Sequence, residues 1–122
     1  MTARRRGGRK KDPDSVLPMT DDMLQAVATQ FRALSEPARL RLLQALREGP
    51  RNVTELARAA QTSHANASKH LLVLADAGFV TRTQDGTKTL YALSDDSTER
   101  FCRIMCDRVS HQAAETLRGL QR

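Results

Sequence analysis

Two short helical patterns joined by a turn of about three residues, a strand–Asp-Gly–strand unit behind them and a long closing helix predict the fold. In that order they make a mostly α, α+β domain: a winged helix-turn-helix with a two-stranded β wing and terminal dimerisation helices. The chain has 122 residues, 39% apolar, 28% charged and 3% aromatic, which suits a single domain with one modest core. It is too short for a two-lobed enzyme with a cleft between its lobes. No run reaches the ~18–20 apolar residues of a membrane span, and the basic start is followed by no apolar h-region of a secretory signal.

The chain divides near Pro18, with residues 1–18 expected to form a disordered basic tail and residues 19–122 the folded domain. The tail reads RRRGGRKK and then Asp-Pro-Asp-Ser, without an apolar period. Either it adds sequence-independent phosphate contacts or it is a passive solubilising tail.

Each element beyond the tail has its own signal. Thr20 or Asp21 can cap a first helix with Leu24, Val27, Ala28, Phe31 and Leu34 at 3-and-4 spacing. Ser35 is expected to cap a second helix, with Pro37 in its first turn, Leu40, Leu42, Leu43 and Leu46 apolar, and Gly49-Pro50 ending it. Asn52-Val53-Thr54-Glu55 is a capping-box pattern for a short third helix that fades by Gln61. A fourth helix starts at Thr62-Ser63 and runs to Gly78, with Ala67, Leu71, Leu74 and Ala75 as its core face. Residues 79–83 then read as a strand, Asp85-Gly86 as a hairpin turn and residues 88–93 as the return strand. Ser94 to Ser97 offers caps for a last helix with Phe101, Ile104, Met105, Val109, Ala113 and Leu117 apolar.

Charge points to the partner. Twenty Lys and Arg face fourteen Asp and Glu, a net +6, of which residues 1–19 carry +4 and the rest +2. A basic domain of this size favours an anionic partner, most simply nucleic acid. The fourth helix is polar in its first two turns, at Ser63, His64, Asn66, Ser68, Lys69 and His70. A helix entering the major groove N-terminal end first needs such short polar groups to reach base edges and phosphates. Asn66 can pair with adenine, Ser63 and Ser68 with bases or phosphates, and Lys69 supplies a point charge. The bland alternative is an ordinary solvated face, and for His70 a histidine bonded to the main chain. Arg82 and Lys88, flanking Asp85-Gly86, can touch the DNA backbone beside the groove and tip the balance toward DNA.

FRALSEPARLRLLQAL, NVTELARAAQTSHANASKHLLVLADAGFV and DGTKTLYALS together resemble the ArsR/SmtB family of bacterial repressors over about residues 20–120. Two cysteines four apart cannot form a disulfide framework, which points to a reducing, cytoplasmic setting. The resemblance implies a homodimeric winged helix that binds double-stranded operator DNA. It implies release when a metal, metalloid or oxidant is sensed, with no cofactor required for DNA binding. It places Ser63, His64, Asn66, Ser68, Lys69 and His70 on the DNA-reading helix, and Arg82 and Lys88 on the wing.

The sensing sites of the family fit less well. Its Cys-x-Val-Cys motif is replaced by Thr54-Glu55-Leu56-Ala57, and its zinc site is represented by Asp107, His111 and Glu115 without a second histidine. Instead the last helix carries Cys102 and Cys106 at i and i+4. Two thiols there can hold a thiophilic metal or As(III), or respond to an oxidant or persulfide. A disulfide between them is strained by parallel Cβ vectors. The competing reading is packing, because both fall on a stripe with Val109, Ala113, Leu117 and Leu120, and buried cysteine behaves as a small hydrophobe. A dimer can also bring His111 to the thiols.

Two other function classes compete with this reading. Catalysis has little support, since Cys106 and His111 point in different directions on one helix and no phosphate loop or oxyanion-type loop accompanies them. A winged helix serving as a protein-docking module without operator readout is the alternative, because fold alone does not fix function.

Overall fold

The computed structural model describes residues 19–121, so the expected basic tail lies outside the described residues. The described elements are α1 (Asp21–Ala33), α2 (Pro37–Leu46), β1 (Arg51–Asn52), α3 (Val53–Ala59), α4 (His64–Asp76), β2 (Val80–Asp85), β3 (Lys88–Leu93) and α5 (Asp96–Leu120). This is the helix-turn-helix, wing and closing helix that the sequence predicts.

Local chemistry explains most of the boundaries. The Thr20 hydroxyl accepts the Met23 N–H at 3.1 Å, and Asp21 and Asp22 face the positive end of α1. The capping box of α3 is complete: Asn52 Oδ1 accepts from the Glu55 N–H at 2.9 Å, and Glu55 Oε1 from the Asn52 N–H at 3.0 Å. The Ser63 hydroxyl accepts the Asn66 N–H at 3.1 Å and starts α4. That helix ends in a Schellman arrangement, with the Phe79 N–H on the Leu74 carbonyl and the Gly78 N–H on that of Ala75. Gly78 adopts φ +86° there, a conformation a side chain would strain. Asp95 caps α5 by accepting from the Ser97 hydroxyl and N–H, and these bonds hold its carboxyl below the ordinary carboxylate range.

Three expectations need correction. Ser35 does not cap α2: Glu36 occupies the cap position without a side-chain bond, and the Ser35 hydroxyl donates instead to the Arg32 carbonyl at 2.8 Å. It thereby satisfies an orphan carbonyl of α1 rather than an orphan N–H of α2. The hairpin turns on Gly86-Thr87, not Asp85-Gly86, because Asp85 pairs with Lys88. Only the first central residue has positive φ, Gly86 at +66°, which is the type II′ pattern. The sheet also has a third strand, in the order β1-β3-β2, because Arg51 and Asn52 pair with Tyr91 and Leu90.

The core lies where α2, α3 and α4 meet the base of the sheet. Leu42, Leu56, Leu71 and Leu74 are fully enclosed, with Val80 and Tyr91 closing the sheet side. Truncating any of these leucines to Ala costs about 2–5 kcal/mol in such a core. α1 and α5 lie outside it and meet through Phe31 and Phe101, whose tilted rings have centroids 5.6 Å apart. Leu24 and Phe31 on α1, and Ile104, Val109, Leu117 and Leu120 on α5, remain exposed within one chain. No helix among the described residues is long and apolar enough to cross a membrane.

Candidate nucleic-acid interface

α4 buries one face and presents the other. Ala67, Leu71 and Leu74 are fully buried, while Ser63, His64, Asn66 and Lys69 are exposed and Ser68 and His70 half-buried. Those six polar residues therefore do share the first two turns of one helix. Because Ala67 lies at the centre of the buried face, Lys69 projects most directly outward at helical spacing, with Asn66 on one flank and Ser68 on the other. The Ser63 oxygen is engaged as the helix cap, which leaves its hydroxyl hydrogen as the free donor. The remaining free N–H groups of the first turn point out of the N-terminal end of α4, an arrangement suited to phosphate.

His70 has a partner that is not main chain. Its Nδ1 lies 3.2 Å from Arg39 Nη1, and since guanidinium only donates, Nδ1 acts as the acceptor and the ring proton resides on Nε2. Arg39 also donates through Nε to the Ala33 carbonyl at 2.6 Å and through Nη2 to the Arg32 carbonyl at 3.2 Å. One side chain thus joins the end of α1 to α4. A second link runs from Gln30 Nε2 to the Ala77 carbonyl, at 2.9 Å, at the far end of α4. Sequence reasoning missed Arg39 and Gln30, because their partners lie 31 and 47 residues away and no local pattern announces them.

The wing residues are separated. Arg82 pairs with Tyr91 and Lys88 with Asp85, so the two basic side chains project from opposite faces of the hairpin. Both are exposed. Arg82 shares its face with Gln84 and Thr89, whose hydroxyl donates to Gln84 Oε1 at 2.5 Å. Lys88 is the closer of the two to the tip.

The sensing candidates also divide. Cys102 is half-buried against the core and Cys106 is exposed. Burial is the main cause pushing the Cys102 thiol above its ordinary value; Cys106 adds to it and Arg47 opposes it. His111 lies further along α5, exposed, with Nε2 3.7 Å from Glu115. It does not join the cysteines within one chain. No group of three His, Cys, Asp or Glu among the described residues is placed to hold a metal ion.

Comparison with known proteins agrees with this geometry. A helix-turn-helix domain family matches residues 34–83. The HTH-type transcriptional repressor SmtB of Mycobacterium tuberculosis is 32% identical over 105 residues, covering 86% of this chain and 76% of the relative. Among solved structures, the antimony-specific transcriptional repressor AntR superposes with a TM-score of 0.70 at 28% identity, over 84% of this chain and 92% of that one. A homodimeric winged helix-turn-helix DNA-binding domain from Mycobacterium bovis, a possible ArsR-family regulator, gives 0.72 at 24% identity, over 82% and 95%. The chain belongs to the ArsR/SmtB family of helix-turn-helix transcriptional repressors.

Proposed function

We propose that this protein is a cytoplasmic, homodimeric repressor that reads operator DNA through α4 and releases it when a thiol-reactive metalloid, metal or oxidant reaches Cys102 and Cys106. The observation that carries the reading is the outward face of α4: an apolar side fully buried, and six polar groups on the first two turns. Asn66 is assigned to base readout, Lys69 to phosphate, and Ser63, His64, Ser68 and the Nε2–H of His70 to bases or phosphates at the groove edge. Lys88 and Arg82 contact the backbone from the wing, and the basic residues 1–18 add contacts without specificity. Support for the dimer comes from the uncovered apolar faces of α1 and α5, and from the homodimeric M. bovis domain of the same fold. Support for a thiophilic signal comes from the two cysteines on α5 and from the antimony specificity of AntR.

The test is selection from a randomised duplex pool followed by anisotropy on the recovered site. The expected sequence is an imperfect palindrome with half-sites about one DNA turn apart, ~34 Å. With ~6–10 phosphates neutralised, affinity falls by ~10³–10⁵ between 50 and 200 mM salt. Asn66→Ala relaxes choice at one base position by about 1–3 kcal/mol, whereas Lys69→Ala weakens all duplexes alike and lowers the salt slope by about 1. If both variants bind the selected site like the parent, α4 is not the reading helix. A pool that yields no enriched duplex leaves a protein-docking module in its place.

A further inference from the structure

Arg39 is half-buried in the first turn of α2, and its guanidinium bonds on three sides. Nε donates to the Ala33 carbonyl at 2.6 Å and Nη2 to the Arg32 carbonyl at 3.2 Å, both in the last turn of α1. Carbonyls in a last turn lack their regular N–H partner and carry the negative end of the helix dipole, so they hold a cation well. The guanidinium is planar and rigid. With Nε and Nη2 fixed on α1, Nη1 has one direction left, and it reaches His70 Nδ1 at 3.2 Å.

That third bond decides what His70 can do. The bond one ring nitrogen makes sets the role of the other: Nδ1 accepts, so the ring is neutral and Nε2 is a donor. Nε2 has no partner among the described residues. By helical spacing His70 lies about 60° from Ala67, the centre of the buried face, and about 100° from Lys69, the most outward residue. A flank position of this kind suits the phosphates along a groove edge rather than the bases on its floor. We propose that Arg39 is a positioning residue for DNA binding: it holds His70 as a neutral donor whose Nε2–H bonds an operator phosphate oxygen, and acid breaks the arrangement. The inference rests on α4 being the reading helix, as proposed above.

Protonation turns Nδ1 into a donor aimed at a donor and sets two cations against each other. An ordinary surface histidine behaves in the opposite way and gains phosphate affinity when it charges. No carboxylate relieves the pair, since none of the ion pairs among the described residues includes His70. On α1 the Arg32 guanidinium is turned to the Thr29 hydroxyl at 2.9 Å, and on α3 the Glu55 carboxylate is held by the Asn52 N–H at 3.0 Å. His64, Lys69 and Asp76 of α4 lie about 100–120° from His70 round the helix. Glu36, Arg41, Arg58, Arg82 and Asp85, on or beside the elements packed against α4, are exposed and make no polar contact with the ring among the described residues.

The experiment measures anisotropy of the selected duplex and of an unrelated one with the reduced, full-length protein. Parent, His70→Asn, Arg39→Met and the double variant are compared. Asparagine keeps an acceptor for Arg39 in the place of Nδ1 and removes the Nε2 donor. At about pH 8, His70→Asn is expected to weaken both duplexes by about 10-fold and to leave the salt slope unchanged, because a neutral donor displaces no counterion. Arg39→Met is expected to cost a similar factor in the parent and little in the His70→Asn background, since it acts through the same contact. At about pH 5.5 the parent is expected to lose its advantage over His70→Asn. Long-range ¹H–¹⁵N correlation spectra of the DNA-free parent read the tautomer without any substitution, and are expected to show the His70 proton on Nε2. A proton on Nδ1 overturns the proposal, as does an advantage over His70→Asn that holds or grows on acidification. An Arg39→Met cost that is equal in both backgrounds also overturns it, because the arginine is then only a strut for α4. A change of sequence choice in His70→Asn does the same by placing His70 on a base. If His70→Asn binds like the parent while Lys69→Ala is weakened, α4 stays the reading helix and this inference fails. If Lys69→Ala and Asn66→Ala bind like the parent as well, it is the reading-helix assignment that fails.

Discussion

Burial is the larger cause raising the Cys102 thiol, and its neighbour Cys106, one turn on, is exposed. A folded-state value above the unfolded one means that the native protein keeps the proton where the unfolded chain has already lost it. The contribution of Cys102 to stability is therefore full below the unfolded value, about 8.5, and is lost as pH rises through the higher folded value. Iodoacetamide labelling followed by peptide mass spectrometry is expected to show a Cys102 midpoint above ~8.5, with Cys102→Ala flattening the alkaline loss of stability. A midpoint at or below that of a free thiol would show that the half-buried position is not kept in solution. Since the thiolate is the species that oxidants attack, oxidant or persulfide chemistry on this helix starts at Cys106.

At the scale of elements, α4 is held by its apolar side and also by two polar links to the α1–α2 corner, Arg39 to His70 and Gln30 to the Ala77 carbonyl. A shift of α1 then reaches the middle of α4 at His70 and its C-terminal end at Ala77. Arg39→Lys replaces a planar fork serving three acceptors by one point charge. It is expected to weaken duplex binding by about 10-fold, roughly 1.4 kcal/mol, with the dimer and the melting transition retained. Anisotropy, sedimentation and calorimetry on the same preparation check it, and an unchanged affinity would mean that α4 is held by packing alone. Elements whose signals are local were legible in the sequence: the Asn52–Glu55 capping box, the Ser63 cap, Gly78 after α4 and the two wing strands. Features decided by distant partners were not. β1 is two residues long and is a strand only because Tyr91 and Leu90 lie beside it. Ser35 has the chemistry of a cap, but sits one residue too early and bonds backward. The opposed faces of Arg82 and Lys88 follow from any two-residue turn and were readable from parity; treating the residues as flanking a loop hid this. For the candidate site, residue types on α4 were legible from helical spacing, while the Arg39 link needed the packed chain.

For the molecule as a whole, α1 and α5 pose a problem that one chain does not solve. Phe31 is 51% exposed, Val109 58% and Leu117 59%, on two helices that meet each other through Phe31 and Phe101. An apolar stripe of this length on a 25-residue helix, ~37 Å long, needs a partner. Another copy of the chain can cover it with the same surface, giving a two-fold interface. Such an interface sets the distance between the two α4 helices, so anything that moves α5 changes the fit to both half-sites at once. By linkage, an inducer that weakens duplex binding by some factor must bind the DNA-free dimer more tightly by that same factor. Val109→Asp and Leu117→Asp each place a charge in the stripe, yet neither residue belongs to the buried core. Each is expected to sediment at micromolar concentration as a 13.6 kDa monomer rather than twice that mass, with the core transition kept. Binding to the two-half-site duplex then falls by at least about 100-fold, because the second half-site contact is no longer intramolecular, while the weak affinity for a single half-site stays as it was. A variant that remains dimeric and binds normally would place the interface elsewhere. A variant that becomes monomeric yet still binds the full site tightly would show that one α4, not a coupled pair, supplies the recognition.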